Sequence, residues 1–376
     1  MKLIHLSDLH LGKRVHDASV LDDQRYILAE IINIIDNEKP SGVIIAGDVY
    51  DKSVPSAEAV ELFDEFLVKL YKRGLNVFVI SGNHDSPERI AFGGRIMSEG
   101  RIYLSPVYTG DVEPVILADE FGEAAVYMLP FVKPAQVRKK LEDESIQTYT
   151  EAVAACIAKM NVDTTRRNIL ITHQFVTGAT RSDSEELSVG GADNVNGEVF
   201  APFDYVALGH IHGPQNVGEN IRYCGTPLKY SFSEAAHKKS VTVVELNQKG
   251  NMSVRTVPLV PKHDMVEIKG TYAELTLKSF YENTNYTTDY MHITLTDEQD
   301  IPDALGKLRT IYKNLLKLDY DNARTRSAAE ITAATVEKPP LELFEDFYKL
   351  QNNQPMSDGQ REFVSSLIEG LTEGGV

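Results

Sequence analysis

The chain has 376 residues, a net charge of −17 and two cysteines, Cys156 and Cys224. This length allows more than one domain and a substantial core, whereas two cysteines cannot build a disulfide framework and favour a reducing compartment. The N-terminal apolar stretch is broken by Asp8 and no apolar run of about 18 residues occurs, so the sequence predicts a soluble, cytoplasmic protein without a signal peptide or membrane span.

Short apolar runs and helical stretches alternate along the first two-thirds of the chain. The runs have the length and the Val, Ile and Leu content of buried strands, and amphipathic stretches lie near Leu21–Asn37, Ala57–Lys72 and Ser145–Met160. This alternation is typical of a layered α/β domain. The segments RYCG, SVTVVEL and SVRTVPLV then follow without intervening helices, which predicts a second, more antiparallel sheet. The earlier runs are KLIHLS, GVIIAG, NVFVIS, NILI and YVAL.

A short polar motif follows each of these five runs. Open α/β folds place their sites at the ends of strands along one sheet edge, so we expect the motifs to lie close together. Six of the ten histidines fall in or beside the motifs, a concentration that chance does not readily explain. The motifs are Asp8-Leu9-His10, Gly47-Asp48-Val49-Tyr50-Asp51, Gly82-Asn83-His84-Asp85, Thr172-His173 and Gly209-His210-Ile211-His212.

Seven side chains in these motifs are candidate metal ligands. They offer oxygen or imidazole donors and no thiolate, a mixture that suits Mn²⁺, Fe or Zn²⁺ better than Ca²⁺ or an iron–sulfur cluster. Asp48 is the predicted bridge, because a carboxylate has two oxygens and can hold metals roughly 3.5–4 Å apart. His210 and His212 are two residues apart and would share a face of an extended segment. The expected division places Asp8, His10 and His212 on one ion, and Asn83, His173 and His210 on the other.

His84 adjoins Asn83 but is not needed to complete either set of ligands. A free histidine beside a phosphate-binding metal centre can protonate a leaving oxygen or neutralise developing charge, so His84 is the predicted general acid. Asp51, three residues after Asp48, is the candidate that orients this imidazole, and a nearby carboxylate would favour its protonated form. The sequence assigns no role to Asp85. Any one motif alone could be structural, but all five in order indicate a two-metal phosphoesterase.

The five motifs resemble the signature of the calcineurin-like metallophosphoesterases. Longer stretches narrow the resemblance to the SbcD family, the nuclease subunits of bacterial SbcC–SbcD DNA repair complexes. Archaeal and eukaryotic relatives carry a histidine where this chain has Asp51, a departure associated with the bacterial branch. The stretches that carry the resemblance are MKLIHLSDLHLGKRV, GDVYDKSVPS, SGNHDSPERIAFGGRIM, FDYVALGHIHGPQ and YCGTPLKYSFSEAAHKKSVTVVEL.

The resemblance implies a four-layer α/β sandwich, with two mixed sheets flanked by helices, that ends near Pro261. It also implies a DNA nuclease that uses two divalent ions, with Mn²⁺ as the expected metal. The ions would neutralise the phosphate oxygens and supply the nucleophile, while His84 protonates the leaving sugar oxygen. The implied activities are 3′→5′ exonuclease on duplex ends and endonuclease on hairpins or blocked ends. The implied partners are a second copy of the chain and an SbcC-like ATPase of the ABC/SMC type.

The net charge of −17 is unusual for an enzyme that acts on DNA. We therefore expect weak DNA binding by the chain alone and a partner that supplies much of the affinity. Taken without the resemblance, the acidic balance favours the alternative of a phosphodiesterase for cyclic nucleotides or other small phosphate esters. A non-catalytic scaffold is disfavoured, because every expected ligand and His84 are present. The scattered candidates for phosphate contacts are Lys13, Arg14, Arg89, Arg181, Lys238 and Lys239.

A smaller α/β unit is predicted to follow the sandwich, giving domains at residues 1–261 and 262–321. Its predicted elements are the strand MVEIKG, a helix at Tyr272–Ser279, the strand DYMHITL, a helix at Pro302–Leu315 and the segment KLDYD. The resemblance implies that this unit caps the nuclease face and helps to present DNA. Residues 322–340 are polar and contain Pro339-Pro340, so they read as a linker.

Two amphipathic helices are predicted in the tail, residues 341–376. The second begins at a possible capping box, Ser357-Asp358-Gly359-Gln360. Helices of roughly 10 to 15 residues are marginal alone and need packing. They either fold back on this chain's own body or dock on another protein, for which we expect the coiled-coil base of the SbcC-like ATPase. Their apolar residues are Leu341, Phe344, Phe347 and Tyr348 in the first, and Phe363, Val364, Leu367, Ile368 and Leu371 in the second.

The expected homodimer has candidate contacts in two regions. One is the helix near Ala57–Lys72, and the other follows the Gly-Asn-His-Asp motif. Their apolar residues exceed what one core face obviously needs and could form a two-fold helical bundle, although ordinary core packing explains individual residues nearly as well. The candidates are Val60, Phe63, Leu67 and Leu70, together with Ile90, Phe92 and Ile96.

Overall fold

The structure is a computed structural model that describes residues 1–182, 185, 193–323, 325, 340–352 and 355–373. The chain divides into two compact units after Met265. Of the helices in the described part of the chain, none combines the length and the apolar composition needed to cross a membrane.

One mixed sheet of the first unit carries the Asp8, Asp48 and Asn83 motifs at its strand ends. Among the described residues its spatial order is β16 (Met252–Pro258), β15 (Ser240–Leu246), β1 (Lys2–Leu6), β4 (Gly42–Ala46), β5 (Asn76–Ile80) and β6 (Ile102–Leu104). The strands from β1 to β6 are parallel, and β15 and β16 extend the β1 edge in antiparallel fashion. The three motifs therefore leave neighbouring strands on the same side of the sheet.

A second mixed sheet carries the other two motifs. Its order in the described residues is β13 (Gln215–Asn216), β14 (Ile221–Tyr223), β12 (Tyr205–Gly209), β9 (Arg167–His173), β8 (Gly122–Leu129) and β7 (Val115–Asp119). The strands β14, β12, β9 and β8 are parallel, whereas β13 and β7 are antiparallel edges. His173 is the last residue of β9, and His210 directly follows β12.

The two sheets pack face to face around an apolar core. Phe78 from the first sheet and Ile171 from the second are fully buried in it, and full burial of such a side chain contributes about 1.5–3 kcal/mol. A separate core lies between the second sheet and its helices, with Val153 and Leu170 buried together. The described residues thus confirm the predicted four-layer sandwich. Its helices are α1 (Leu21–Glu38), α2 (Ala57–Tyr71), α3 (Pro87–Ile90), α4 (Gly94–Met97), α5 (Pro134–Leu141) and α6 (Tyr149–Lys159).

The predicted helices match α1 and α2 closely, but α6 begins at Tyr149 rather than Ser145. A capping box sets this start. Thr148 Oγ1 accepts a hydrogen bond from Glu151 N at 3.2 Å, and the Glu151 carboxylate accepts one from Thr148 N at 2.9 Å. The box satisfies amide groups that would otherwise lack partners at a helix start. Short elements complete the unit: β2 (Arg14–Val15), β3 (Ala18–Ser19), β10 (Phe175–Val176), β11 (Asn194–Val195) and 3₁₀ turns at Ser98–Gly100, Gly197–Phe200 and Phe232–Glu234.

The prediction that the last three strands of this unit form a separate antiparallel sheet is wrong. The RYCG segment contributes β14, which joins the second sheet parallel to β12. The other two segments are β15 and β16, which complete the first sheet because β15 pairs with β1. The edge of β1 offers unpaired backbone groups that a later strand can satisfy. Pairing between the two ends of the first unit is a tertiary property that the order of the segments did not reveal.

The second unit contains a small sheet covered by short helices. Its order is β17 (Met265–Gly270), β18 (Tyr290–Leu295) and β19 (Asn314–Tyr320) among the described residues, and Met291, Ile293 and Leu308 lie in its core. The helices are α7 (Tyr272–Leu275), α8 (Lys278–Tyr281) and α9 (Ala304–Arg309).

Both helix predictions in this unit need correction. The helix expected at Tyr272–Ser279 is split, because Thr276 Oγ1 donates to Tyr272 O and Leu277 is extended. The helix expected at Pro302–Leu315 ends at Arg309. Leu315 instead belongs to β19, which pairs in parallel with β18. Strand pairing therefore outweighed the helical pattern in the sequence.

Two helices form the described tail, α10 (Pro340–Asn352) and α11 (Asp358–Glu373). The predicted capping box is present, since Ser357 N donates to Gln360 Oε1 at 2.9 Å and Ser357 Oγ accepts from Gln360 N at 3.4 Å. The helices contact each other, with Gln360 Nε2 donating to Tyr348 Oη at 2.9 Å. The Leu371 side chain and most of the predicted linker, residues 324 and 326–339, lie outside the described residues. Among the tail side chains that the structure describes, the exposed large apolar ones are Phe344, Phe347, Phe363 and Leu367.

Candidate metal centre

The five motifs meet in loops whose backbone is held in an uncommon conformation. Asp8, His10, Asp48 and His210 all have positive φ angles, between 44° and 99°. Such conformations cost non-glycine residues on the order of 1–3 kcal/mol each and persist where the surroundings enforce them. Two backbone hydrogen bonds tie the first two loops together, from Asp8 N to Gly47 O at 3.0 Å and from His10 N to Asp48 O at 2.9 Å. The loops therefore hold their side chains in fixed positions.

Two motif glycines allow the loops to approach closely. A Cβ at Gly82 would lie 2.1 Å from Asp48 Oδ1, and a Cβ at Gly209 would lie 1.9 Å from Ala46 O. Side chains at either position would push the strand ends apart. The glycines that precede Asn83 and His210 are thus requirements of the site's geometry.

The first predicted ligand group, Asp8, His10 and His212, is brought together by the fold. Ligand atoms of the three residues lie within 4.8 Å of one another. His10 Nε2 and His212 Nε2 are 3.2 Å apart. Asp8 Oδ1 accepts a hydrogen bond from His210 N at 2.9 Å, whereas its buried Oδ2 has no hydrogen-bond partner among the described residues. An unpaired carboxylate oxygen and two imidazole nitrogens thus face the same space.

The second predicted group, Asn83, His173 and His210, is also assembled. Asn83 Oδ1 lies 3.0 Å from His173 Nε2 and 3.0 Å from His210 Nδ1. Asp48 lies between the groups, with its Oδ2 3.2 Å from His173 Nε2 and 3.8 Å from His10 Nε2. The fold therefore brings the predicted residues together, and ligand atoms of Asp8, Asp48 and His173 also lie within 4.8 Å of one another. The assignment of each group to an ion remains a prediction.

The protonation of His173 shows that the site is suited to a cation. His173 Nδ1 lies 2.9 Å from Ala46 O, and a carbonyl can only accept, so Nδ1 carries a proton. In the neutral ring, the lone pair of Nε2 then faces the oxygens of Asp48 and Asn83. Burial acts to lower the pKa of His173, but the Asp48 carboxylate, the Asp8 carboxylate and the Ala46 carbonyl together outweigh it and raise the pKa to about 9. Electron pairs that converge in this way require a proton or a metal ion between them, and the donor types fit Mn²⁺, Fe or Zn²⁺.

His212 is held by side chains that the sequence did not single out. Its Nδ1 lies 3.0 Å from Glu234 Oε1, and its backbone N donates to Glu185 Oε1 at 2.7 Å. Burial acts to raise the pKa of Glu234, but the hydrogen bond from His212 and the charge of Lys239 lower it well below its usual range. Glu234 is therefore a carboxylate that accepts the Nδ1 proton. Glu234 lies within the stretch YCGTPLKYSFSEAAHKKSVTVVEL. That stretch carried part of the family resemblance, and this was the one sequence signal that could have pointed to Glu234.

His84 lies beside the candidate ligands, with a ring nitrogen within 4.8 Å of ligand atoms of His10 and Asp48, but Asp51 contacts it differently from the prediction. His84 Nδ1 is 3.1 Å from the main-chain oxygen of Asp51, so the carbonyl, not the carboxylate, orients the ring. The Asp51 carboxylate instead forms an ion pair with Lys13 at 2.8 Å. Opposite charges attract the Asp51 carboxylate to the Lys13 ammonium, and His10 Nδ1 lies 3.7 Å from the same carboxylate oxygen. His84 N also donates to Asp48 Oδ1 at 2.9 Å, and its ring packs edge-on against His10.

Asp85, to which the sequence assigned no role, joins two of the motifs. Its carboxylate accepts hydrogen bonds from Val49 N at 3.1 Å, Tyr50 N at 3.0 Å and Gly82 N at 2.9 Å. Asp85 is buried. It therefore fastens the loop after β4 to the loop after β5, and thereby sets the distance between Asp48 and Asn83.

Four of the six candidate phosphate contacts already have partners within the protein: Lys13 pairs with Asp51, Arg14 donates to Asp17 O, and Lys239 and Arg181 also form ion pairs. Lys239 is buried, and its Nζ donates to Glu234 Oε2 at 2.6 Å and to His212 O at 2.9 Å. Its proposed role as a surface cation is therefore wrong. Arg181 forms an ion pair with Asp193 at 2.7 Å and lies over the Phe175 ring at 3.6 Å.

The candidate dimer residues divide between core and surface. The fold buries Phe63, Leu67, Leu70 and Ile90, so ordinary core packing explains them. By contrast, Phe92 is 84% exposed and Ile96 is 78% exposed, and Val60 is also exposed. Only these three of the seven are available for a contact with a second copy.

Comparisons with known proteins match both units of the chain. A family model described as calcineurin-like phosphoesterase matches residues 1–214, and one described as type 5 capsule protein repressor C-terminal domain matches residues 261–352. The chain is also 32% identical, over 382 aligned residues, to the SbcD subunit of the nuclease SbcCD from Staphylococcus epidermidis. That alignment covers 99% of each protein.

Solved structures are more distant. A dimetal phosphatase from Danio rerio is 11% identical, with a TM-score of 0.39, over 69% of this chain and 96% of its own. The phosphoesterase Yfce from E. coli is 12% identical, with a TM-score of 0.28, over 69% of this chain and 100% of its own. Neither likeness bears on the substrate of this chain.

Proposed function

This chain belongs to the calcineurin-like phosphoesterases and, within them, to the SbcD nuclease subunits, and we propose on that basis how its residues cleave DNA. It is a metal-dependent nuclease. The proposed substrates are duplex ends, attacked by a 3′→5′ exonuclease activity, and hairpins or blocked ends, attacked by an endonuclease activity.

The proposed centre holds two divalent ions, with Mn²⁺ as the expected metal. Asp8, His10 and His212 would hold one ion and Asn83, His173 and His210 the other, with Asp48 between them. When bound, the ions would supply the charge that neutralises the phosphate oxygens and activates the attacking water. The chain itself contributes the fixed ligand positions, through the positive-φ loops and the Asp85 carboxylate.

His84 is the proposed general acid. The Asp51 carbonyl accepts from Nδ1, so Nε2 is the ring nitrogen proposed to donate a proton to the departing sugar oxygen. His84 N is bonded to Asp48, so the acid is held at a constant distance from the proposed bridging ligand.

The proposed domain scheme assigns a role to each part of the chain. Residues 1–261 are the nuclease domain, 262–321 the capping domain, 322–340 a linker and 341–376 the tail that docks on an SbcC-like ATPase. The acidic charge supports such a partner, because a chain of net charge −17 needs another surface to bind duplex DNA tightly. A homodimer is proposed through the exposed surface that includes Val60, Phe92 and Ile96.

The observation that carries this function is the convergence of seven oxygen and imidazole donors from five loops, with His84 beside them. The test is to offer purified protein, stripped of metal and then given Mn²⁺, a labelled duplex and a small chromogenic phosphodiester. We expect no cleavage without metal and cleavage of DNA with Mn²⁺. The alternative, a phosphodiesterase for small esters, predicts rapid turnover of the small ester and none of DNA even when the ATPase is added.

A further inference from the structure

The two proposed cation sites differ in the group that contacts Nδ1 of a proposed ligand histidine. His173 Nδ1 bonds to Ala46 O, a neutral carbonyl, at 2.9 Å. His212 Nδ1 bonds to Glu234 Oε1, a buried carboxylate, at 3.0 Å. Both contacts place the proton on Nδ1 and direct Nε2 to the centre. They differ in charge, and this difference adds to that between the proposed ligands Asp8, a carboxylate, and Asn83, a neutral amide.

Lys239 fixes the position of the Glu234 carboxylate. Its Nζ donates to Glu234 Oε2 at 2.6 Å, to Thr226 Oγ1 at 2.6 Å and to His212 O at 2.9 Å. An ammonium has three protons, and each has an acceptor here. The hydrogen bonds thus form a ring: His212 contacts Glu234 through its imidazole, Glu234 accepts from Lys239, and Lys239 donates to the main-chain oxygen of His212. Such a buried pair is rarely a gain in stability by itself, which suggests a role in specificity.

We propose that Glu234, held by Lys239, is a positioning residue that makes the Asp8–His10–His212 site the tighter of the two cation sites. The proposal rests on the two-ion centre of the proposed function. A carboxylate behind a ligand histidine fixes its tautomer and ring orientation and makes the coordinating nitrogen more basic. A carbonyl fixes the tautomer in the same way, but without a full negative charge. Occupation of the centre would then begin at the site that His212 serves.

The test is calorimetric titration of metal-free protein with Mn²⁺. For the wild type we expect two binding events of unequal affinity. In Glu234→Gln, Gln can still accept from His212 Nδ1 but lacks the charge, and we expect the tighter event to weaken by roughly 10- to 100-fold, the usual effect of losing such a supporting group. The weaker event should change little. Glu245→Gln, at a partly exposed position of β15, is the matched control and should leave both events unchanged.

The same substitution made in a second variant shows which of the two sites gives the weakened Mn²⁺-binding event. Asn83→Ala removes a ligand of the His173 group, so the remaining event reports on the Asp8 group. Adding Glu234→Gln to Asn83→Ala should weaken that remaining event by the same factor. An unchanged remaining event, or equal weakening of both events in the single variant, would overturn the proposal.

Further variants distinguish a role of Glu234 in positioning His212 from a role in stabilising the fold. Glu234→Gln combined with Lys239→Met removes both buried charges while keeping their volume, which protects folding if the single variant is unstable. Nitrogen NMR of labelled histidine should still show the Nδ1-protonated tautomer of His212, while the tighter affinity is reduced. A double variant with wild-type affinities would disprove the role of the charge. A wild type that binds no divalent ion would instead refute the proposed function itself.

Discussion

The metal centre and the tail helices use their side chains in opposite ways. At the centre, most of the polar groups are buried and several are held by a second group, as Asp85 holds two loops and Glu234 holds His212. In the tail, apolar groups are exposed, with Phe347 54% and Phe363 64% accessible. The centre is organised by this chain's own contacts, whereas the tail presents surface that another protein could cover.

The difference indicates which regions depend on contacts within this chain and which depend on contacts with a partner protein. A buried polar network loses much when one member is removed, because the remaining members stay buried without partners. An exposed apolar face loses little within the isolated chain, since its side chains already contact water. Changes at the centre should therefore affect the purified chain strongly, and changes in the tail should affect it weakly.

The largest effect is expected for Asp48→Asn. An amide has one acceptor oxygen and no charge, so both proposed ions should be held more weakly. Because metal ions supply several kcal/mol of charge stabilisation, we expect cleavage to fall by at least about 10³-fold. Metal analysis should show reduced content of both ions. Full metal content in this variant would contradict the bridging role.

The second-largest effect on cleavage is expected for His84→Gln. Loss of a general acid should lower the cleavage rate by roughly 10²- to 10⁴-fold, while metal content and DNA binding stay near normal, because His84 is not a proposed ligand. Rates on DNA and metal analysis of the same preparation check this. His16→Gln, at an exposed position, is the matched control. Metal loss equal to that of Asp48→Asn would refute the division of roles.

Asp85→Asn should chiefly affect stability. Asparagine offers one acceptor oxygen to three backbone donors, and a buried donor left without a partner costs about 1–3 kcal/mol. We expect the free energy of unfolding to fall by roughly 2–4 kcal/mol, as measured by chemical denaturation. Asp111→Asn, on an exposed loop, should change it by less than about 0.5 kcal/mol. Equal stability of the two variants would show that Asp85 does not hold the loops together.

The smallest effect on the isolated chain is expected from removing residues 341–376. Short helices are marginal alone, so the free energy of unfolding should change by less than about 1 kcal/mol. Mn²⁺-dependent cleavage of small phosphodiesters should persist, whereas co-purification with an SbcC-like ATPase and ATP-dependent cleavage of duplex DNA should be lost.

Two outcomes of this truncation would contradict the proposed difference between the metal centre and the tail. A truncated protein that still binds the ATPase with unchanged affinity would show that docking occurs elsewhere. A truncated protein that unfolds or aggregates would show that the tail packs on this chain's own body, the alternative that the sequence left open.

The sequence patterns by themselves indicated a layered α/β domain and the residues that meet at its strand ends, whereas the four-layer sandwich was implied by the resemblance to the phosphoesterases. Short apolar runs define buried strands, and motifs that follow them must emerge at strand ends, so Asp8, Asp48 and His173 could be placed together from local patterns alone. The capping box at Ser357 was likewise predictable, because it depends on residues three positions apart.

Only the tertiary structure decided which groups support those residues. Glu234 holds His212 and β15 pairs with β1 across separations that no local pattern encodes. Whether Asp51 offers its carbonyl or its carboxylate depended on where Lys13 lay, and whether Lys239 was exposed depended on a buried carboxylate. The physical reason is common to all of these cases. Hydrogen bonds and burial depend on distances between segments, and those distances exist only after the chain has folded.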